Sequence, residues 1–337
     1  MENINNNIQN TRAITGVKPT GILHIGNYFG AIKPTLEMAE KSETLIFLAD
    51  YHALNYIKTK EELKTYSFEL ACAYLACGLD PEKIVFFKQS DVPEVFELTS
   101  ILTNVTPKGL MNRAHAYKAV VEQNEKDGED KDFGVNMGLY NYPILMAADI
   151  LLYNTKYVPV GQDQKQHVEI ARDIANSFNA RYGETFILPE PKISEEVATI
   201  VGLDGRKMSK SYGNTIQLFA EENELKKAIN RIVTDSKLPG EPKDTNSSLA
   251  KIYGLFAEKE QNEKFKQDLL SGMSYGEAKK QLFELANAYL KPMREKYNYY
   301  KSHKSEVVEI LKTGAERARY IAKRQLAKVK KKLGVEF

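Results

Sequence analysis

The chain has 337 residues, 42% of them hydrophobic and 27% charged, the balance of an ordinary globular protein long enough for about two domains. A formal net charge of +2 is too small to mark the whole molecule as a nucleic-acid binder, and no apolar run approaches the roughly 20 residues that cross a bilayer. Residues 1–10 are polar and Asn-rich, a disordered tail rather than a secretion signal, and the only cysteines, Cys72 and Cys77, read as small core residues that suit neither a disulfide framework nor a zinc site; the cytoplasm is the expected compartment.

In chain order, the first 90 residues alternate between short apolar runs and amphipathic stretches. Residues 13–16 predict a strand and 24–40 a helix. TLIFLA at 44–49 has the length of a buried parallel strand, 61–77 predict a helix, and KIVFFK at 83–88 a third strand. This is the opening of a Rossmann-like, doubly wound α/β sheet. The alternation then breaks. Residues 106–121 predict a helix, 122–133 (EQNEKDGEDKDF) a charge-rich solvated loop, and Pro143 suits the first turn of a helix running to about Tyr153. A strand at 157–160 and a long helix at 161–182 follow, so about 106–155 reads as a helical insertion between the halves of the sheet. From about Glu221 only helical periodicity is visible. The expected division is an α/β part, 11–218, and an all-helical part, 219–337, ending in a basic helix.

The first candidate for chemistry is GVKPTGILHIGNYFG at 16–30, which follows the first strand and opens the first helix. Unpaired amides and the helix dipole favour an anion there. His24 and Asn27 are three apart on one helix face and can aim two donors at one ligand. The run is neither a P-loop nor a GxGxxG fingerprint, and alone such a tetrapeptide is more often a glycine-rich turn with a solvated histidine. The second candidate is KMSKS at 207–211, flanked by Gly202, Asp204, Gly205, Tyr212 and Gly213. Two lysines and two hydroxyls in five residues suit a leaving pyrophosphate, whose charge grows as the bond to the α-phosphorus breaks, and a flexible loop could close over bound ATP.

HIGN and KMSKS together resemble the HIGH and KMSKS signatures of class I aminoacyl-tRNA synthetases, with Asn for the final His in the first and no change in the second. The resemblance covers nearly the whole chain. YPILMAADILLYN at 142–154, VPVGQDQKQHVEIARDIA at 158–175 and DYHALN at 50–55 resemble the tryptophan-activating branch, whose nearest relatives take tyrosine. The resemblance implies catalytic roles for His24, Asn27, Lys207 and Lys210. It implies ATP binding by Lys18, Pro19, Thr20, Gly26 and Asn27, by Gly161, Gln162 and Asp163, and by Ile200, Lys207, Met208, Ser209, Lys210 and Ser211. Three departures stand out: Lys18 and His24 differ from residues common in bacterial members, and Ile14 stands where an aromatic wall is frequent. Lys118 or Arg113 could add a phosphate contact from the insertion.

On a helix from Pro143, Met146, Asp149 and Tyr153 share a stripe headed by Tyr142, an apolar wall with one carboxylate. A buried Asp needs a donor, and the residues alone leave open whether a cap, a salt bridge or a ligand supplies it. The resemblance implies that Asp149 accepts the indole N–H of tryptophan, that Tyr142 and Gln164 hold the amino group, and that Met146, Val158 and Val160 line the pocket.

Residues 315–337 carry eight Lys/Arg against Glu316 and Glu336, a net +6 in a chain whose total is +2. Charge alone fits either a phosphate-tracking surface or a solvated helix face; the resemblance implies an anticodon-contacting surface for tRNA(Trp). The expected reaction joins tryptophan to ATP as Mg·ATP, then transfers the aminoacyl group to tRNA, within a homodimer that has the insertion at its interface. No residue is needed as a covalent nucleophile, and no protein metal site is expected. Tyrosine activation, a smaller nucleotidylyltransferase of the same superfamily and a non-catalytic synthetase-like paralogue are the rivals. His52, His115, His167 and His303 are scattered, with no partner at useful spacing, and are expected to be packing or surface histidines.

Overall fold

The structure, a computed structural model, describes residues 12–40, 42–161, 164–193 and 200–336. Strands β1 (Ala13–Val17), β2 (Thr44–Leu48), β3 (Val85–Lys88), β4 (Tyr157–Val160) and β5 (Glu190–Ile193) form one sheet in the order β3-β2-β1-β4-β5. Every pairing is parallel; Ile46, for example, lies between Thr15 and Phe86. All of TLIFL in β2 is buried, so this central strand shows a continuous apolar run instead of alternation. Leu45 and Phe47 enter one core and Ile46 and Leu48 the other, the period of two that a strand imposes. Because the chain leaves β1 in one direction and reaches β4 in the other, a crevice opens between their carboxyl ends.

The first helix begins as α1 (Ile25–Asn27), widens through a π-turn (Tyr28–Ile32) and continues as α2 (Lys33–Ala39). Pro34 lacks the amide that would bond Gly30, which explains the wider turn. Helices α3 (Asp50–Ala53) and α4 (Lys60–Ala76) connect β2 to β3. Cys72 is buried in the core beneath, with Cys77 packed at its margin.

Between β3 and β4 run α5 (Glu94–Thr103), α6 (Lys108–Met111), α7 (His115–Asp127) and α8 (Met137–Leu151), and three expectations need correction here. The helix predicted over 106–121 is two helices, because Ala114 turns extended (ψ 132°) before α7 starts. The predicted loop at 122–133 is helical to Asp127: Lys118 and Glu122 form an i,i+4 pair, and Gly128, at φ 76°, ends the helix in the left-handed region. Pro143 lies inside α8, not in its first turn; the start is capped by the Asn136 side chain, which accepts from Leu139 N–H at 2.9 Å. Helix α9 starts at Lys165, later than predicted, and runs to Tyr182; Gln162 and Asp163 lie outside the described residues. Strand β5 was not expected, since EPKI holds a proline and two charges; it pairs only with β4, and an edge strand tolerates proline.

The remainder is helical: α10 (Glu222–Asn230), α11 (Ser248–Phe256), α12 (Lys259–Leu270), α13 (Tyr275–Ser302) and α14 (Lys304–Leu333). These helices share a core with the sheet, Ile46 and Phe86 joining Leu249, Leu282 and Leu311 in one cluster. Helix α14 returns to the outermost strand, and Ala315, Ala322 and Val329 pack on its other face with Val85 and Phe87. A Cβ on Gly314 would lie 1.8 Å from the Phe86 carbonyl oxygen, so only glycine lets the helix come this close. Three of its basic residues turn toward the rest of the chain: Arg317 donates to Pro81 O at 2.7 Å, Arg319 grips Glu94 bidentately, Nη2 to Oε1 at 3.0 Å and Nε to Oε2 at 3.2 Å, and Lys330 pairs with Glu97 at 3.1 Å. Gly314→Ala should therefore destabilise the chain by roughly 1–3 kcal/mol, overpacking outweighing the ~1 kcal/mol gained in helix propensity. A melting temperature equal to or above that of the parent protein would refute this seating of α14.

Candidate active site

The two sequence motifs meet at the crevice. His24 precedes α1, and the Asn27 carboxamide oxygen accepts its backbone N–H at 3.0 Å, so Asn27 closes its own helix start and has its amide hydrogens left to offer. The backbone on either side is sewn to the segment after KMSKS: Ile25 N–H donates to Ile216 O at 2.9 Å and Leu218 N–H to Leu23 O at 3.0 Å. Met208 is buried, its sulfur 3.3 Å from where a side chain on Gly26 would begin, and its amide donates to Ile200 O at 2.8 Å. The Lys210 ammonium reaches across the turn to donate to Thr20 O at 3.0 Å. Residues 190 positions apart are thereby joined through one hydrogen bond.

Burial, then the Lys210 ammonium, push the His24 imidazole down to about 4, so it is neutral at physiological pH. Its Nδ1 is buried without a hydrogen-bond partner among the described residues, an orphaned polar atom at the head of α1. Lys210 is itself lowered by partial desolvation. Lys18 leaves the end of β1, its ammonium 4.8 Å from the Tyr56 ring centroid; Pro19 is buried and Thr20 exposed. Gly161 directly follows β4 across the crevice, its carbonyl accepting from Gln164 N–H at 3.0 Å. Ser209 and Ser211 share a hydroxyl–hydroxyl bond of 2.8 Å, and Lys207 is exposed. Arg113 and Lys118 are exposed on the insertion, Lys118 already paired with Glu122 at 3.6 Å.

A second group of side chains lies behind the sheet's carboxyl edge. Asp149 is 2% exposed, and its carboxylate takes the His52 Nε2 at 2.8 Å and the Gln89 Nε2 at 2.9 Å. Burial raises its pKa and outweighs the His52 hydrogen bond that opposes the shift. From His52 the polar string continues through ring contact with Tyr142 (centroids 6.4 Å apart), whose hydroxyl bonds His167 Nε2, while His167 Nδ1 meets Gln164 Oε1 at 3.0 Å. Met146 and Val160 are half-buried against the apolar cluster that holds Val158, Tyr153 and Ile14. Ile14 is 2% exposed and belongs to that core.

The family profile of class I tRNA synthetases (W and Y) matches residues 6–291. The tryptophan–tRNA ligase of Neisseria meningitidis is 52% identical over 328 residues, 96% of this chain and 98% of that one. The tryptophanyl-tRNA synthetase of Campylobacter jejuni, solved with ADP and tryptophan, superposes with a TM-score of 0.88 at 49% identity, covering 96% of this chain and 99% of that one. The tyrosyl-tRNA synthetase of Archaeoglobus fulgidus, at 20% identity and a TM-score of 0.59, shares the fold. The chain belongs to the class I tRNA synthetases of the tryptophan and tyrosine group.

Two readings of this class I synthetase from its sequence were incomplete. His52 and His167 are not isolated packing or surface histidines: both sit in the polar string around Asp149 and Tyr142, whereas His115 and His303 are exposed as expected. Gln89 was missed altogether, and Asp50 was noted only as the head of the DYHALN run, with no role of its own. Gln89 is fully buried with its Oε1 unpartnered among the described residues, and Asp50, its pKa raised by burial, accepts from Ser90 N–H at 3.0 Å and Ser90 Oγ at 2.5 Å. The signal for both was present: TLIFLA runs abruptly into Asp50, and KIVFFK into Gln89-Ser90-Asp91, polar groups at the carboxyl ends of parallel strands where such folds place their ligands.

Proposed function

We infer that this chain is a tryptophan–tRNA ligase. It activates L-tryptophan with ATP and passes the aminoacyl group to the 3′ end of tRNA(Trp). The observation that carries the reading is the junction of the two motifs, where Lys210 bonds Thr20 and Met208 packs on Gly26 over an orphaned His24 nitrogen; the near-full-length likeness to tryptophan–tRNA ligases gives it a substrate.

In the first step a carboxylate oxygen of tryptophan attacks the α-phosphorus, the bond to the bridging oxygen breaks, and pyrophosphate leaves with the electron pair. The HIGN turn, Lys18 to Thr20 and Gly161 would cradle the nucleotide; the lysines of KMSKS would take up the charge growing on pyrophosphate. Neutral His24 would donate a hydrogen bond without competing as a second cation. In the second step the terminal ribose hydroxyl of tRNA attacks the carbonyl carbon, loses its proton, and releases AMP. Mg²⁺ would arrive on the phosphates of ATP, the oxygen ligands this hard cation favours.

Asp149 would accept the indole N–H, with Tyr142 and Gln164 at the amino group and Met146, Val158 and Val160 as walls. For tRNA, the outward basic residues of α14 remain available, Lys323, Lys328, Lys331 and Lys332 among them. A homodimer would cover the exposed rings of Tyr51 and Phe96, which meet edge to face at 4.6 Å, and the exposed Phe133 and Met137 of the insertion. No described helix is long and apolar enough to cross a membrane, and we place the activity in cytoplasmic translation.

Amino-acid-dependent ATP–pyrophosphate exchange tests the assignment. Tryptophan should support exchange at least about 100-fold better than tyrosine, in a preparation that sediments as a dimer. Exchange driven by tyrosine alone would reassign the substrate. Failure of every amino acid to support exchange would make the chain a non-catalytic relative.

A further inference from the structure

We propose that Asn214, just beyond the KMSKS run, is a positioning residue that fixes the lysine loop against the HIGN turn. The proposal rests on that loop being the pyrophosphate-stabilising element of a tryptophan–tRNA ligase.

The Asn214 side chain is almost wholly enclosed, at 3% exposure, and every hydrogen bond its carboxamide makes closes on the loop. Its Oδ1 accepts Ser209 N–H at 2.8 Å. Its Nδ2 donates to Lys207 O at 3.1 Å and to Asp204 Oδ1 at 2.7 Å, while its backbone carbonyl takes Leu203 N–H at 3.0 Å. One planar group thus clamps the backbone immediately before and after Met208, the residue whose buried side chain rests on Gly26.

The consequence falls on both lysines. The carbonyl that Asn214 holds is that of Lys207 itself, and the amide it holds belongs to the neighbour of Lys210. Fixing those atoms sets where each lysine stem departs, and so where each ammonium stands relative to a nucleotide on the HIGN turn. A displacement of about 1 Å at such a group can cost on the order of 100-fold in rate. Only a side chain with a donor at one end and an acceptor at the other meets these partners; an ionised carboxylate offers no donor and a hydroxyl is too short. The orientation of the carboxamide is set by Asp204, an ion-pair partner of Arg206 at 2.6 Å, whose carboxyl is held down at about 2 by its hydrogen bonds from Asn214 and Arg206. Asn214 itself is not placed to touch the reacting atoms. It acts through the lysines.

The test uses the full chain. Asn214→Ala should lower tryptophan-dependent pyrophosphate exchange by about 10- to 100-fold while tryptophan affinity stays within about twofold. Affinity can be read from the ligand's own indole fluorescence, because the chain contains no tryptophan. In a Lys210→Ala background the same change should cost at least about threefold less than it does in the parent, since one of the two lysines it positions is already gone. Losses that multiply in the double variant, an unchanged exchange rate, or affinity falling in step with rate would each overturn the positioning role. Should Asn214→Ala fail to fold, Asp204→Ala removes the partner that orients the carboxamide, together with the exposed Arg206 ion pair, and should give the same split at about three- to tenfold. Parent protein that binds tryptophan but exchanges with no amino acid would instead sink the underlying functional reading; parent exchange beside a normal Asn214→Ala variant sinks the positioning role alone.

Discussion

Lys210→Ala is expected to slow tryptophanyl-adenylate formation by roughly 10²–10³-fold and to leave tryptophan affinity within about twofold. The ammonium stands over the turn between β1 and α1, bonded to Thr20 O at 3.0 Å, at the junction with the HIGN run. Partial desolvation lowers its pKa while the residue stays exposed, so the ammonium is a compact point charge free to meet negative charge that develops beside the turn. That charge is greatest on the departing pyrophosphate, after substrate binding is complete, so the loss should fall on the chemical step. Lys210→Arg should recover only part of the rate, because a planar guanidinium cannot occupy the site of a compact ammonium. Single-turnover measurement at saturating ATP and tryptophan separates the two effects. A change confined to affinity would contradict a transition-state role.

Asp149→Ala should reduce kcat/KM for tryptophan by on the order of 10²-fold or more, with little change in melting temperature. The carboxylate is the acceptor on which His52 and Gln89 both converge, on a helix whose Ala147, Ala148 and Ile150 are buried beside it in sequence. Removing it would leave an indole N–H, the imidazole and the amide with no acceptor between them. The fold responds differently. Burial raises the Asp149 pKa, so the ionised form costs the folded state stability as pH rises through that value; alanine removes the cost while it orphans His52 and Gln89, and the two effects oppose. Asp149→Asn keeps one acceptor oxygen, and His52 can adopt its other tautomer, so the loss should be smaller. Activity that survives Asp149→Ala intact would remove this residue from the substrate pocket.

The sheet was legible because β2, inside it, and β3, at the edge that α14 covers, are both continuous apolar runs of strand length, and TLIFLA and KIVFFK could hardly be read otherwise. β5 was not, because an edge strand beside one neighbour has no need of an apolar sequence. In the insertion, Gly128 and Pro143 misled in opposite ways. The glycine ends a helix whose charged residues looked like loop, and the proline sits within a helix whose burial compensates for the missing bond. At the site, HIGN and KMSKS announced themselves through residue type and spacing. Their direct union did not, since no local pattern shows that Leu218 will pair with Leu23. The same holds for His52 and Asp149, 97 residues apart: the sequence marked Asp149 as a carboxylate in need of a donor, but nothing in it named His52 as that donor.

Helix α14 also constrains how the protein can be made. The strand it covers is complete by Lys88, yet the helix that seals it runs from Lys304 to Leu333. A ribosome must therefore synthesise more than two hundred further residues while this edge stays open, and contacts of such long sequence separation form late. Shortened translation products would lack both the helix and the Gly314 contact, leaving a nucleotide crevice without a sealed sheet beneath it. Such fragments would be prey for chaperones and proteases, and would add little partial activity to the cell's supply of charged tRNA.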